Sequence, residues 1–325
     1  MLKPNPVNKG HLARSWGQGE GMLRCRRAAE YDCIIDNVCY DSLGKAQTLI
    51  ALARIDDLLN PIDHSLESGF DSSLIGLLSQ CEYRIWVGIR HPQRRREWLA
   101  ARLLVKHVFL TGLASLRLIA GHPSQWQPVV ELVMEQDILD GAGSAFQSVE
   151  LLVPVKGRAP QLFWCKEDVS RFLSCSISHS GGWVAAAFGT DCSLGVDIET
   201  VKTPSALFKT HCFTSHERAW AEQSAARCRM PCDLLYTLLW TLKEATFKAE
   251  GSGKGFVWHT GVNVRDVITE PLPLSGRGGE KPAMIYLDLR IHNNGWRGAR
   301  GVSCLLGSDC VMSTVRLTKG DHYHG

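Results

Sequence analysis

Twelve cysteines are present in the 325 residues, but no Cys-x-x-Cys pair is among them. That absence removes the usual signature of a redox motif or of a paired-cysteine zinc site. Cys228 and Cys232, with His211, Cys212 and His216 nearby, leave a zinc site as a lesser alternative, because structural sites use tighter paired spacing. Cysteines such as Cys165 and Cys175 stand in apolar surroundings and read as small buried hydrophobes. An apolar h-region is missing from Met1 to Glu30, so the expectation is no secretory signal and reduced thiols in the cytoplasm. A membrane-length apolar run is missing too: Leu103 to Ala120 is broken by Lys106, His107 and Arg117. A net charge of +3 is too small to argue for nucleic acid. No GxSxG elbow is present, which speaks against a serine hydrolase. Gly251-Ser252-Gly253-Lys254-Gly255 imitates a phosphate loop but lacks the full GxxxxGK[ST] and follows a helix, so it reads as a terminator and turn.

What is there reads as an α+β chain. Residues 1–30 are rich in Gly, Arg, Asn and Lys without periodicity and are expected to be a disordered leader. Lys45 to Leu59 has a helical pattern ended by Asn60-Pro61, and Cys81 to Ile89, with Tyr83, Ile85 and Val87 alternating, reads as a strand. A helix is expected from about Gln93 to Leu113. Along it Arg95, Arg102 and Lys106 form a basic stripe, either a solvated face or a seat for a phosphorylated ligand. Leu151 to Val155 reads as a strand closed by Lys156-Gly157-Arg158-Ala159-Pro160. Ser178-His179-Ser180 is placed at a strand start. Trp183 to Phe188 and Leu194 to Glu199 are read as a hairpin. Ser215 is read as a helix cap, Phe256 to Val264 as a strand, Thr269 to Pro282 as an exposed insertion, and Met284 to Ile291, Cys304 to Leu306 and Val311 to Leu317 as closing strands. Asp321 to Gly325 reads as a solvated tail.

A central helix is expected from Pro231 to Gly251. Proline suits a first turn and glycine the stop. Leu235, Leu238, Leu239, Leu242 and Ala245 recur at helical spacing and mark the buried stripe. Thr237, Thr241, Glu244 and Lys248 line another face, with Lys243 about 100° from Glu244. In Leu194-Gly195-Val196-Asp197-Ile198-Glu199 the two carboxylates share a face, about 7 Å apart at Cα, while Val196 and Ile198 turn to the core. Carboxylates so placed repel each other unless a cation lies between them, and hard oxygen ligands suit magnesium. Glu244 completes such a site if the helix packs against this strand. Ser178 and His179, beside Gly181-Gly182, offer hydroxyl and amide groups to an anion.

Ser176-Ile177-Ser178-His179-Ser180, Leu194 to Glu199 and Trp240-Thr241-Leu242-Lys243-Glu244-Ala245-Thr246-Phe247-Lys248, in that order and spacing, resemble the 4'-phosphopantetheinyl transferases, and among them the larger, surfactin-synthetase-activator type. The resemblance runs from about Arg94 to Val264. It implies a fold of two similar α+β halves related by a pseudo-twofold, each an antiparallel sheet packed on a long helix, here 31–192 and 193–318, with a tail at 319–325. It implies an enzyme, a holo-carrier-protein synthase, that moves the phosphopantetheine arm of coenzyme A onto a serine of an apo acyl or peptidyl carrier protein. By the same resemblance Asp197, Glu199 and Glu244 are magnesium ligands, and Lys243 and Lys248 neutralise phosphate charge. Glu244 handles the serine proton, with Glu199 the alternative. Ser178 and His179 match contacts to the 3'-phosphate of coenzyme A, and Arg95, Arg102 and Arg158 are looser matches at the nucleotide end. Gly157 to Pro160 carries one residue more than the Gly-Lys-Pro of the family. The implied protein is cytoplasmic and monomeric, a pseudo-dimer, with neither nucleic acid nor membrane as partner. Two alternatives use the same residues: a metal-dependent nucleotide phosphohydrolase, and a catalytically silent coenzyme A or carrier-protein binding module.

Overall fold

The computed structural model describes residues 48–59, 72–116, 129–132, 144–153, 158–171, 173–190, 192–251, 262–271, 283–291, 296–306 and 309–319. All of them belong to one unit of the chain, Cys33–Gly325. The expectations for residues 1–30 and 321–325, and for most of the 269–282 insertion, lie outside the described residues.

β1 (Leu49–Arg54) leads directly into the short α1 (Ile55–Leu59). A helix was expected here. The run Leu-Ile-Ala-Leu-Ala-Arg is buried on both faces, and a continuous apolar stretch of that length does not distinguish a central strand from a helix. α2 (Ser72–Ile75) and α3 (Gln80–Val87) follow. The latter replaces the strand expected at 81–89. Ser79 and Glu82 form a reciprocal capping box, and the helix buries Glu82 and Trp86, one turn apart, while Tyr83, Ile85 and Val87 are exposed. The alternation was therefore a surface accident, and the Ser-x-x-Glu spacing was the true signal.

α4 (Pro92–Leu116) is the first long helix. Next come β2 (Val129–Leu132), α5 (Ser144–Gln147), β3 (Val149–Leu152), β4 (Gln161–Trp164) and β5 (Glu167–Asp168). β6 (Leu173–Ser180) and β7 (Trp183–Thr190) form an antiparallel hairpin about Gly181 and Gly182. Both glycines have positive φ, +58° and +77°, as a tight primed turn demands. Ser178-His179-Ser180 thus closes a strand rather than opening one. β8 (Ser193–Thr200) does not pair with β7 as expected; its ladder partner is β12 (Cys310–Lys319). α6 (Ala206–Cys212), α7 (Ser215–Cys228) and α8 (Cys232–Glu250) precede β9 (Val262–Pro271), β10 (Ala283–Ile291) and β11 (Trp296–Leu306). The cap of α7 is Thr214, one residue before the expected Ser215.

Among the described residues one sheet has the order β2-β1-β7-β6, a second β8-β12-β11-β10-β9, and a third β3-β4-β5. All pairs are antiparallel except β1 with β2. The alternation along the strands sorts the core into layers. Leu49, Ala51 and Ala53 of β1 and Val184, Ala186 and Phe188 of β7 face α4 with Leu99, Leu103 and Val108. Ile50, Leu52, Ala185 and Ala187 turn the other way and meet Leu194, Val196, Ile198 and Met312. Val311, Val315 and Leu317 of β12 then face α8, whose Leu235, Leu238, Leu239, Leu242 and Ala245 are all fully buried, as the leucine stripe predicts. The order is helix, sheet, sheet, helix, and β6 and β8 are the edge strands that meet.

Candidate active site

Gly195 sets how closely α8 approaches the strand bearing the carboxylates. A Cβ at this position would lie 1.8 Å from the Ala245 carbonyl oxygen and 2.7 Å from the Ala249 nitrogen, so any larger residue displaces the helix. Asp197 and Glu199 share the face of Gly195. Lys248 reaches across from α8, its Nζ 2.7 Å from Asp197 Oδ1, and also donates to the carbonyls of Val196 (3.1 Å) and Ile177 (3.3 Å). Ser178 Oγ donates to the same Asp197 Oδ1 at 2.9 Å and accepts from Ile198 N at 3.1 Å. Ser180 Oγ donates to Glu199 Oε2 at 3.4 Å.

Asp197 Oδ2 is left buried with no hydrogen-bond partner. Burial, and after it the charge of Asp197, pushes the Glu244 carboxyl up to about 7. The same two causes, in the same order, raise Glu199. Three carboxylates therefore crowd one another, with the Lys248 ammonium as a counter-charge to each. Among the described residues no group of three or more His, Cys, Asp or Glu side chains is arranged to hold a metal ion by itself. Magnesium does not require such a cage, since it keeps several waters and takes one or two carboxylates plus substrate phosphates. An unpartnered buried oxygen, beside two carboxyls raised first by burial and then by the charge of Asp197, fits that ion in charge and in donor type.

His179 Nδ1 lies 3.3 Å from Glu97 Oε2 of α4. Burial holds the imidazole below its usual range; Glu97 opposes this, and the cations Lys248, Arg102 and Arg94 add to it. Arg102 is buried with its guanidinium 3.9 Å from the centre of the Trp98 ring. Burial brings it down to about 10, and its Nε has no hydrogen-bond partner. On α4, Glu97 meets His179, and the arginines whose charge the imidazole feels are Arg94 and Arg102, one on each side of Trp98 at helical spacing, rather than the stripe 95, 102, 106. Arg94 and Glu97 were missed for that reason, and the four-residue spacing through Trp98 was the available signal.

Three of the expected site residues, Lys243, Arg95 and Arg158, are placed elsewhere. Lys243 is buried, its Nζ 2.9 Å from Glu217 and 2.6 Å from the Cys212 carbonyl. Arg95 donates to the carbonyls of Ile89 (2.9 Å) and Val87 (3.5 Å), holding the chain after α3. A helical wheel gives the angle of Lys243 but not its partner, and the Glu217 that takes it sits in the capping box of α7. Arg158 lies exposed on the bend before β4. The structure draws Asp197, Glu199, Glu244, Lys248 and Ser178 into one cluster at the β6–β8 junction, with His179 and Arg102 beside it.

Comparison with known sequences meets this geometry from the other side. The sequence model of the 4'-phosphopantetheinyl transferase superfamily matches residues 193–278. The 4'-phosphopantetheinyl transferase ffp of Bacillus subtilis is 37% identical over 78 residues, which cover 24% of this chain and 33% of that protein. The chain thus spans only a third of that relative's length. Over the segment that holds Asp197, Glu199, Glu244 and Lys248, the chain is similar to the 4'-phosphopantetheinyl transferase superfamily.

Proposed function

We propose that the protein transfers the 4'-phosphopantetheine arm of coenzyme A to a serine of an apo acyl or peptidyl carrier protein. The observation that carries this reading is the junction of β8 and α8. Three carboxylates and one lysine converge there through a glycine contact, inside the segment similar to the transferase superfamily. In the transfer, the serine oxygen forms a bond to the phosphorus bearing the pantetheine arm, the pyrophosphate P–O bond breaks, and adenosine 3',5'-bisphosphate leaves. Such a step asks for positioning and charge neutralisation more than for covalent help.

Asp197, Glu199 and Glu244 would hold magnesium together with substrate phosphate and water rather than as a closed cage, and the bound ion would supply charge neutralisation at the pyrophosphate. Lys248, already a donor to Asp197, supplies a second positive charge beside it. Glu244, with a carboxyl near neutrality in the absence of the ion, is the proton acceptor for the serine, and Glu199 is the alternative. His179, with Arg94 and Arg102 behind it, forms the seat for the 3'-phosphate. Lys243 holds α8 to α7 through Glu217 rather than meeting phosphate.

Two halves, 31–192 and 193–318, are part of the same reading. Each has a sheet covered on its outer face by one long helix, α4 or α8. No helix among the described residues is long and apolar enough to cross a membrane, and the proposed setting is a cytoplasmic monomer. Intact-protein mass spectrometry of a panel of apo carrier proteins, incubated with the protein, coenzyme A and magnesium, tests the proposal. One carrier or more should gain the mass of a single phosphopantetheine arm, and coenzyme A alone should stay intact. Cleavage of coenzyme A without any acceptor would favour the phosphohydrolase instead.

A further inference from the structure

β6 and β8 run side by side at the junction of the two sheets, yet no backbone ladder joins them. Alternate serines of β6 take the place of the ladder. Ser176 Oγ accepts from Val196 N at 3.0 Å, and Ser178 Oγ accepts from Ile198 N at 3.1 Å. Both hydroxyls are buried, so the two amides would otherwise lack partners. The serines differ in one respect. Ser178 spends its proton on Asp197 Oδ1, at 2.9 Å, and Ser180 spends its own on Glu199 Oε2, at 3.4 Å. With Ser178 and Lys248 both on Oδ1, the Asp197 carboxylate is pinned, and Oδ2 is the oxygen left without a partner.

We infer that Ser178 is a positioning residue for the cation site, orienting Asp197 so that Oδ2 is presented to the metal, and is not a contact to the nucleotide phosphate. The inference rests on the proposed transferase reading. Its physical ground is that a serine hydroxyl has one proton, and this one is committed to a carboxylate while a lone pair is held by a main-chain amide. A partner behind a metal ligand fixes the ligand's rotamer, and its loss commonly weakens metal affinity by about 10–100-fold. Ser180 does the same for Glu199 through a longer contact, so its effect is smaller. One strand of the first sheet thereby sets the ligand geometry on an edge strand of the second.

Ser176 is the matched control, because among the described residues it accepts the Val196 amide and meets no carboxylate. The experiment compares wild type, Ser176→Ala, Ser178→Ala and Ser178→Thr. Coenzyme A and 3'-dephospho-coenzyme A are titrated calorimetrically with and without magnesium, alongside transfer rates at varied magnesium. In Ser178→Ala the magnesium-dependent gain in coenzyme A affinity should fall, and half-saturating magnesium for transfer should rise about tenfold or more. The preference for coenzyme A over its 3'-dephospho form should stay at the wild-type ratio. Ser176→Ala should lower melting temperature with unchanged magnesium dependence, and Ser178→Thr, which keeps the hydroxyl, should behave as wild type. Loss of the 3'-phosphate preference in Ser178→Ala, with normal magnesium dependence, would overturn the inference. If Ser178→Ala does not fold, a tenfold magnesium shift in Ser178→Thr overturns it and a normal value supports it. A wild-type protein that neither binds coenzyme A nor transfers its arm would instead sink the transferase reading itself.

Discussion

Lys106 on α4 and Lys243 on α8 end in the same kind of place. Lys106 Nζ lies 2.6 Å from Glu82 and donates to the carbonyls of Leu77 and Phe146. Lys243 Nζ lies 2.9 Å from Glu217 and donates to the carbonyl of Cys212. Each glutamate is the third residue of a helix opened by a capping box, Ser79 with Glu82 and Thr214 with Glu217. Each pair therefore ties a long helix to the start of the helix before it. Lys248, five residues beyond Lys243, differs in kind. Its side chain is 30% exposed, it reaches an edge strand, and it leaves its carboxylate partner with an unpartnered oxygen. The buried lysines hold helix to helix, whereas the partly exposed Lys248, on an unsaturated carboxylate, is the one the proposed site uses. The matching locks also support the proposed organisation into two similar halves.

The largest effect separates those two kinds of lysine. Lys106→Met and Lys243→Met each leave a buried carboxylate without its cation and should cost about 3–5 kcal/mol of unfolding free energy, measured by urea denaturation. Lys248→Met should cost less, about 1.5–3 kcal/mol, the range for a hydrogen bond to a charged group, while transfer falls by about a hundredfold. A Lys243→Met protein with wild-type stability would break the comparison. The double replacement Lys243→Met with Glu217→Leu should recover much of the loss, since an apolar pair leaves no buried charge.

Gly195→Ala is next. Its Cβ meets helix backbone rather than a flexible side chain, so relief comes by moving α8 away from β8. A destabilisation of about 1–3 kcal/mol is expected, with transfer reduced more than the melting temperature would suggest. Wild-type turnover in Gly195→Ala would show that the spacing between helix and strand is not critical.

The smallest effects are in pH. With its folded value below the ordinary 6.5, His179 binds fewer protons in the native chain than in the unfolded one. Its contribution to stability is present above 6.5 and is lost as pH falls toward the folded value. A bound 3'-phosphate favours the imidazolium, so affinity for coenzyme A should rise as pH falls through that window, and affinity for 3'-dephospho-coenzyme A should not. His179→Ala should weaken coenzyme A binding by about 1–3 kcal/mol and flatten the difference. Calorimetric titrations of the two ligands at several pH values check this, and parallel profiles in the wild type would remove His179 from the phosphate seat.

What the sequence disclosed follows from where the physics is local. The central helix was legible because Pro231, Gly251 and a leucine stripe act within the segment itself. The shared face of Asp197 and Glu199 was legible because strand alternation is geometric. Lys243 and Lys106 were not, because a buried cation is recognised only by a partner that lies 26 or 24 residues away in sequence. The hairpin expected at 183–199 failed for a related reason. A short connection permits β7 to pair with β8, but β12, more than a hundred residues later, supplies the ladder. Arg94 and Glu97 hid within an arginine run, because the residue they lie against, His179, is on another element.

The central claim is that the carboxylates at the β8–α8 junction do the chemistry, and Glu244→Gln tests it most directly. The amide keeps the size of the side chain but cannot accept the serine proton. Single-turnover transfer to an apo carrier protein, at saturating coenzyme A and magnesium, should slow by about a hundredfold or more, as removal of a general base commonly does. Coenzyme A binding should persist. A Glu244→Gln protein that loads its carrier at the wild-type rate would contradict the account.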